Sequence, residues 1–456
     1  MSRPESRPTP LSGYPEWLPA ERAVEQQVID TLRRTFELHG FAGIETRAVE
    51  TMDHLLRKGE IDKEVYVLRR LHADDSEADS GQQLGLHYDL TVPFARYVLE
   101  NAGRLEFPFR RHQIQKVWRG ERPQEGRYRE FCQADIDVVD KDVLPFHYEV
   151  EMVEVMAEAF AGLALPPLRM QVNNRKLVQG FYRGIGVDDV AAVLRVVDKI
   201  DKIGAAAVAT TLVEQAGLTT AQADACLALA QIKGADAGVV DRVRALGVTG
   251  DELDTGLHEI ALLLDGAQAA TREGFSVVAD LSVARGLDYY TGTVYETQMA
   301  GFEHLGSVCS GGRYDALASD GRTTYPGVGI SFGVTRTLAP LLSRGLLTAS
   351  RSTPTCVLVA LADDESRPAS RAVAAALRRR GISAEVAPSA QKYGKQIRFA
   401  QRRSIPYVWF PAGASADGVA AVRDIRTGEQ TPADDAAWLP PSADLRPSVG
   451  AGSAPA

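Results

Sequence analysis

The sequence predicts an α+β fold, on three observations. Phe109–Val139 alternates in character along two strands joined by a hairpin loop. From about residue 175 to 273, alanine and leucine dominate and helical periodicity replaces alternation. After 354 the order is strand, helix, strand, helix, strand, which implies a small α/β domain with a largely parallel core.

The elements follow in order. Residues 1–12 are rich in Pro and Ser and are expected to be mobile. Glu21–His39 reads as an amphipathic helix, because Val24, Val28, Leu32 and Phe36 recur every four residues and Gly40 supplies a stop. A short strand is expected near Ile44–Val49, an acidic loop at Ala73–Gly81, a strand at Leu84–Leu90 and a helix through Tyr97–Leu99. Strand character returns at Phe275 and persists through Gln298. Gly301–Arg344 holds glycine-rich turns and then a helix. The domains are therefore drawn as a core of 13–174 with 274–345, a helical insertion over 175–273, a C-terminal domain over 354–435, and a disordered tail over 436–456.

Composition narrows the functional classes. A chain of 456 residues with 45% hydrophobic and 24% charged residues is an ordinary globular protein of two or three domains. A net charge of −9 argues against a general nucleic-acid coating protein but leaves room for local basic patches that dock one RNA. The four cysteines lie far apart without a CxxC pair, so neither a zinc site nor a disulfide frame is expected. MSRPESRPTP has no signal-like apolar segment, and no apolar run approaches the roughly 20 residues a membrane helix needs. A cytoplasmic protein with no membrane or DNA partner is expected.

Four stretches carry the chemistry. In the hairpin, Cys132, Ala134, Ile136 and Val138 alternate with Arg129, Phe131, Gln133, Asp135 and Asp137, so one face suits a core. The other face, with Arg119 and Glu121 from the first strand, is either a charged solvent face or a pocket floor with Arg for phosphate and acid and amide groups for an ammonium. In LHYDLTVPFAR, Asp89 and Thr91 either cap a local element or hold an ammonium together with Gln133. In RGLDYYTGTVYE, the adjacent Tyr289 and Tyr290 offer an aromatic wall and a hydroxyl, and only one can face a pocket directly. CSGGRYD and GVGISFGVTR are glycine-rich, which serves either turns or close approach to a flat ligand, and Arg336 falls one turn into the following helix. Neither GxxxxGK[ST] nor GxGxxG occurs.

In this order, HYDLTVPFARY, WRGERPQEGRYREFCQADIDV, the helical insert, RGLDYYTGTVYE, GGRYD and FGVTR closely resemble the histidyl-tRNA synthetases, class II aminoacyl-tRNA synthetases, over about residues 10–430. WRGERPQEGRYREF is similar to the class's second motif, GVGISFGVTR to its third, and RGLDYYTG to a signature of the histidine enzymes. The resemblance implies the class II antiparallel sheet flanked by helices, a C-terminal α/β anticodon-binding domain and a homodimer.

It also implies roles. Arg119 and Arg285 are the catalytic pair at the α-phosphate. Glu121, Arg127, Phe131 and Arg336 join Arg119 around ATP, with Phe131 and Arg336 as the two walls at adenine. Asp89, Leu90, Thr91 and Gln133 hold the amino end of L-histidine, while Asp137, Tyr289 and Tyr290 read its imidazole. Arg122, Gln124 and Arg127 meet the acceptor end of tRNA(His). Mg²⁺ accompanies ATP on its phosphates, with no protein side chain assigned as a metal ligand.

One departure is that Arg47, in IETRAVE, stands about where the first motif carries proline. Two basic clusters are candidates for tRNA. One is Arg110, Arg111, Lys116, Arg119, Arg122, Arg127 and Arg129; the other is Arg378–Arg380 with Lys392, Lys395, Arg398, Arg402 and Arg403, for which a solvated helix face is the plain alternative. The rival to a working synthetase is a catalytically inactive, synthetase-like regulatory subunit of histidine biosynthesis. The C-terminal domain and the intact Arg119, Arg285 and Arg336 disfavour it.

Overall fold

The computed structural model describes residues 8–56, 64–71, 83–284, 290–412 and 418–452. The chain divides into two compact units, 1–15 with 28–340, and 16–27 with 341–456. The acidic loop expected at 73–81, Arg285 and Tyr289 lie outside the described residues.

The first unit is built on a nine-stranded sheet among the described residues. In chain order it contains α1 (Pro19–Leu38, shared with the second unit), β1 (Ala42–Gly43), β2 (Val49–Thr51), α2 (Met52–Leu55), β3 (Val67–Leu68), β4 (Leu84–Leu86), α3 (Thr91–Asn101), β5 (Phe109–Trp118), β6 (Glu130–Val139), α4 (His147–Ala161) and β7 (Leu168–Asn174). Next come α5 (Arg175–Gly184), α6 (Val190–Val197), α7 (Ile200–Ile203), α8 (Ala205–Glu214), α9 (Thr220–Ala230), β8 (Lys233–Gly234), α10 (Gly238–Arg244) and α11 (Asp251–Ala267). The unit closes with β9 (Phe275–Asp280), β10 (Thr293–Met299), β11 (Cys309–Tyr314), β12 (Gly327–Gly333) and α12 (Val334–Ser343). The large sheet runs β1-β5-β6-β12-β11-β10-β7-β9-β8. It is antiparallel except for β1 on β5 and β7 on β9. A second, three-stranded sheet is β2-β4-β3.

Helix α4 covers the back of the large sheet. Its buried face includes Met152, Val153, Met156 and Phe160. Phe160 meets Phe332 of β12 edge-on at 5.3 Å and Phe275 of β9 at 5.9 Å. The same helix brings Glu149 into the sheet, where it accepts from Thr293 N at 3.0 Å and from Arg313 at 3.0 Å. A buried carboxylate is tolerable when donors surround it this way.

The run from Arg175 to Glu273 is helical apart from β8, and it lies within the first compact unit. Helices α5 and α11 approach closely at two glycines. A Cβ on Gly256 would stand 2.1 Å from Leu177 N, and one on Gly180 would stand 2.4 Å from Leu253 N. Glycine's lack of a side chain sets that interhelical distance.

Several expectations are corrected. The strand expected at Ile44–Val49 is split between β1 and β2, because Thr46 is held by side chains instead of a ladder: Gln113 donates to its hydroxyl at 2.9 Å and Gln115 to its carbonyl at 3.0 Å. The strand expected to run from Leu84 to Leu90 stops at Leu86. The strand expected from 275 to 298 is interrupted, and Tyr290 precedes β10 rather than opening it. The glycine-rich runs are the strands β11 and β12, not turns.

The second unit contains β13 (Leu347–Ala349), β14 (Val357–Val359), α13 (Arg367–Arg379), β15 (Ala384–Val386), α14 (Tyr393–Arg402), β16 (Tyr407–Phe410), β17 (Ala421–Asp424), β18 (Gln430–Pro432) and β19 (Val449–Ala451). Its sheet runs β15-β14-β16-β17-β18, parallel across the first three as the sequence predicts, with two antiparallel strands added at one edge. The tail expected to be disordered is ordered to residue 452. Trp438 packs edge-on against Tyr407 and Trp409, Asp444 accepts from Tyr407 Oη at 2.7 Å, and β19 pairs with β13. One tryptophan and a few polar anchors outweigh the Pro/Ser/Ala composition that suggested disorder.

Gly256→Ala should lower stability by about 1–3 kcal/mol through overpacking at the α5–α11 crossing, read as a reduced midpoint in urea unfolding.

Candidate active site

Strand register builds the site. Across the large sheet, Arg111 of β5 pairs with Asp137 of β6, which pairs with Gly329 of β12, which pairs with Gly312 of β11. The next row on the same face is Gln113, Asp135, Ser331 and Ser310. The third is Gln115, Gln133 and Gly333. Side chains two residues apart along a strand share a face, so these rows form one polar floor. The opposite face carries Ala134, Ile136 and Val138 against Phe332, Ile330 and Val328, all buried. The plain alternative of a solvent-exposed polar face does not hold: Gln133, Asp135 and Asp137 are buried.

At one end of the floor lies a cavity of about 280 Å³. Arg119, Glu121, Arg127, Phe131, Gln133 and Arg336 line it, with backbone and small side chains completing the wall. Arg119 is held in place by its Nε donating to Tyr88 O at 3.0 Å, and its guanidinium lies 5.1 Å from the centre of the Phe131 ring. Glu121 stands 4.0 Å from Arg119 and 3.9 Å from Arg127. Arg336, in the first turn of α12, donates to Leu305 O. Three arginines around one small cavity give it a strong preference for anions.

At the other end, Asp137 is held from two sides. Arg111 Nη2 is 2.5 Å from its Oδ2, and Tyr314 Oη donates to its Oδ1 at 2.7 Å. Glycines make the room. A Cβ on Gly329 would stand 2.0 Å from Asp137 Oδ1, one on Gly327 would stand 2.5 Å from the Tyr314 ring, and one on Gly312 would stand 2.7 Å from the Tyr290 ring. Burial pushes the Tyr290 phenol up, with Asp137 adding to the effect, so it stays a hydrogen-bond donor. Asp89 Oδ1 accepts from Val92 N at 3.0 Å, which caps α3 and holds the carboxyl still. Thr91 opens that helix and is partly exposed, and Leu90 is fully buried.

Arg122 and Gln124 sit exposed on the loop between β5 and β6 and do not line the cavity, whereas Arg127 does. The first basic cluster does not form one surface. Arg111 is completely buried under Asp137, Arg110 is paired with Glu151, and Lys116 is 2.5 Å from Glu130. Arg111 and Tyr314 are the site residues missed in the sequence. The signal for Arg111 was the register that puts it opposite Asp137; for Tyr314 it was the parity of GGRY.

The pattern describing histidyl-tRNA synthetases matches residues 13–337, and that describing an anticodon-binding domain matches 355–436. A histidine–tRNA ligase of Micrococcus luteus is 58% identical over 455 residues, covering 97% of this chain and 99% of the relative. The chain belongs to the histidyl-tRNA synthetase family. A crystal structure of histidyl-tRNA synthetase from Nostoc sp. PCC 7120 superimposes with a TM-score of 0.82 at 32% identity, covering 95% of this chain and 97% of the other. A Bacillus halodurans structure described as an ATP phosphoribosyltransferase regulatory subunit/histidyl-tRNA synthetase shares the fold at 20% identity and a TM-score of 0.68, covering 87% and 97%.

Tyr314→Phe removes one charge-assisted hydrogen bond to Asp137, worth about 1.5–3 kcal/mol. Because the bond is made within the unliganded protein, its loss should lower folding stability by about that amount, read as a reduced midpoint in urea unfolding.

Proposed function

We propose that the cleft activates L-histidine with ATP to histidyl-adenylate and passes the histidine to the 3′ end of tRNA(His). The protein is an aminoacyl-tRNA synthetase, a ligase, and ATP is its substrate. One observation carries the reading of the cleft. The residues expected around ATP share one cavity, and Gln133 leads from that cavity along β6 to Asp137.

The chemistry of the first step asks little of an acid or a base. The histidine carboxylate is already an anion when it attacks the α-phosphate, so catalysis rests on positioning and charge. Arg119 is oriented by Tyr88 and faces a cavity shared with two more arginines, which suits the redistribution of negative charge on the phosphate. Arg285 is assigned as its partner from the opposite side of the phosphate. Phe131 and Arg336 flank the adenine. Mg²⁺ would ride on the β and γ phosphates and neutralise the leaving pyrophosphate. Glu121, the one carboxylate lining the cavity, is assigned to the adenine amino group and not to the metal.

The amino-acid end supplies selectivity. Asp89, Thr91 and Gln133 take the ammonium, and Asp137 with Tyr290 reads the imidazole; Tyr289 is the alternative or additional reader. A site whose buried polar groups pair with imidazole leaves them unpaired with another side chain, which supports discrimination on the order of 10⁴.

For tRNA, the exposed loop with Arg122 and Gln124 suits the acceptor end. On α14, Lys395, Arg398 and Arg402 lie exposed along one face, with Lys392 just ahead of it. Arg380 and Arg403 of the same expected cluster serve the fold instead: Arg380 donates to the carbonyls of Asp435, Ala437 and Trp438, and Arg403 pairs with Glu385. The reading includes a homodimer and a cytoplasmic location, with no membrane or DNA partner. Among the described residues no helix is long and apolar enough to cross a membrane.

Amino-acid-dependent ATP–pyrophosphate exchange tests the whole reading: histidine should support exchange and the other amino acids should not, and no exchange with histidine would favour the regulatory rival. Arg285→Ala should greatly lower that exchange and change histidine affinity much less. Replacing Lys395, Arg398 and Arg402 together by Gln should weaken tRNA binding and flatten its dependence on salt, by roughly 0.7–0.9 in log–log slope per lost phosphate contact, while exchange stays intact.

A further inference from the structure

Asp135 has no role in the reading above, yet it stands on the same strand face as Gln133 and Asp137 and between them. It is buried, and Arg111 Nη2 lies 3.9 Å from its Oδ2 while standing 2.5 Å from Asp137. One guanidinium is thus shared by two carboxylates in a buried layer. The sharing is lopsided. Asp135 Oδ1 is enclosed and has no hydrogen-bond partner, and the same holds for Gln133 Oε1, Gln113 Oε1 and Arg111 Nε and Nη1 around it. A buried layer with several unpaired acceptors is costly unless a proton or a ligand's donors enter it.

The groups facing Asp135 pull in both directions: Arg111 and the Ser331 hydroxyl of β12 favour the carboxylate, and Asp137 and Asp89 favour a proton. Arg111 comes from β5, Asp137 from β6 and Asp89 from the turn ahead of α3. Tyr290 and Cys309 are also within electrostatic range, and burial keeps both in their neutral, protonated forms. Burial pushes the Asp135 carboxyl up to about 7; Arg111 opposes the rise, and Asp137 adds to it.

We propose that Asp135 is a positioning acid of the amino-acid site, carrying a share of a proton at neutral pH while the site is empty and ionised when the ammonium of histidine binds beside it. In the empty site the neutral carboxyl leaves Arg111 to Asp137. Arrival of the ammonium beside Asp89 and Gln133 adds a positive charge to the layer. The O–H bond of Asp135 then breaks, its electron pair stays on the carboxylate and the proton leaves to solvent buffer. Arg111 is then drawn between two anions, and Asp137 accepts from the imidazole with less of its charge already spent on the guanidinium. The sign follows: a proton must be expelled at low pH, so histidine affinity falls as pH drops through 7.

The inference rests on the assignment of this end of the cleft to histidine. Calorimetric titration of the full-length protein with L-histidine at pH 7, in two buffers of different ionisation enthalpy, counts the protons released. The imidazole of free histidine brings about a quarter of a proton at this pH. The wild-type protein should release about half a proton beyond that, since a group with a pKa of about 7 is half protonated there. Asp135→Asn should bind histidine with the excess release gone and the affinity nearly flat between pH 7 and 8. Release from the wild type no greater than the imidazole's share would overturn the proposal, whether or not the variant folds. So would an excess that persists in a folded Asp135→Asn protein. Absence of any histidine binding by the wild type would instead remove the site assignment.

Discussion

The buried guanidinium of Arg111 is the constraint on which the Asp137 end of the cleft depends. A cation taken fully out of water must be paired; Asp137 is its close partner at 2.5 Å, and Asp135 on the same strand face stands off at 3.9 Å. The arrangement fixes Asp137 in the plane of the floor before any ligand arrives. It also forbids easy replacement of Asp137, because its loss would leave the buried guanidinium without its close partner. The Phe94 ring, 4.4 Å from the guanidinium carbon, closes one side of it.

Geometry of the sheet does the rest. Antiparallel pairing of β5, β6, β12 and β11 carries polar residues from sequence-distant segments into adjoining rows. The rows lead from an arginine-rich cavity to an acid-rich enclosure over a few residues of β6. Such a gradient suits a reaction in which an amino-acid carboxylate displaces pyrophosphate from a nucleotide's α-phosphate, since each reactant finds its complement in place.

Much of this was legible in the sequence. Parity in the 129–138 run separated core from floor, and the register then placed Phe131, Gln133 and Asp137 on one face. The helical run and the parallel core of the second unit followed from periodicity and element order. What could not be read was depth. Alternation cannot say whether a polar face meets water or another layer, and so Arg111 was placed among surface cations when it is buried. Glycine runs were ambiguous for the same reason. A strand glycine and a turn glycine look alike until the neighbour that fills the gap is known, here Asp137, Tyr314 and Tyr290. The tail misled because composition averages over a segment, while order there comes from a few anchors: the Trp438 indole against Tyr407 and Trp409, Asp444 on Tyr407, and β19 on β13.

The three glycines at 312, 327 and 329 have an implication for how such a pocket diverges. A methyl at 329 would press on the Asp137 carboxylate, one at 327 on the Tyr314 phenol that donates to it, and one at 312 on the Tyr290 ring. Steric room and ionic pattern are therefore tied to the same three backbone positions. A lineage cannot enlarge any of them without unseating the acid or a phenol, so divergence of the pocket has to start elsewhere in the sheet.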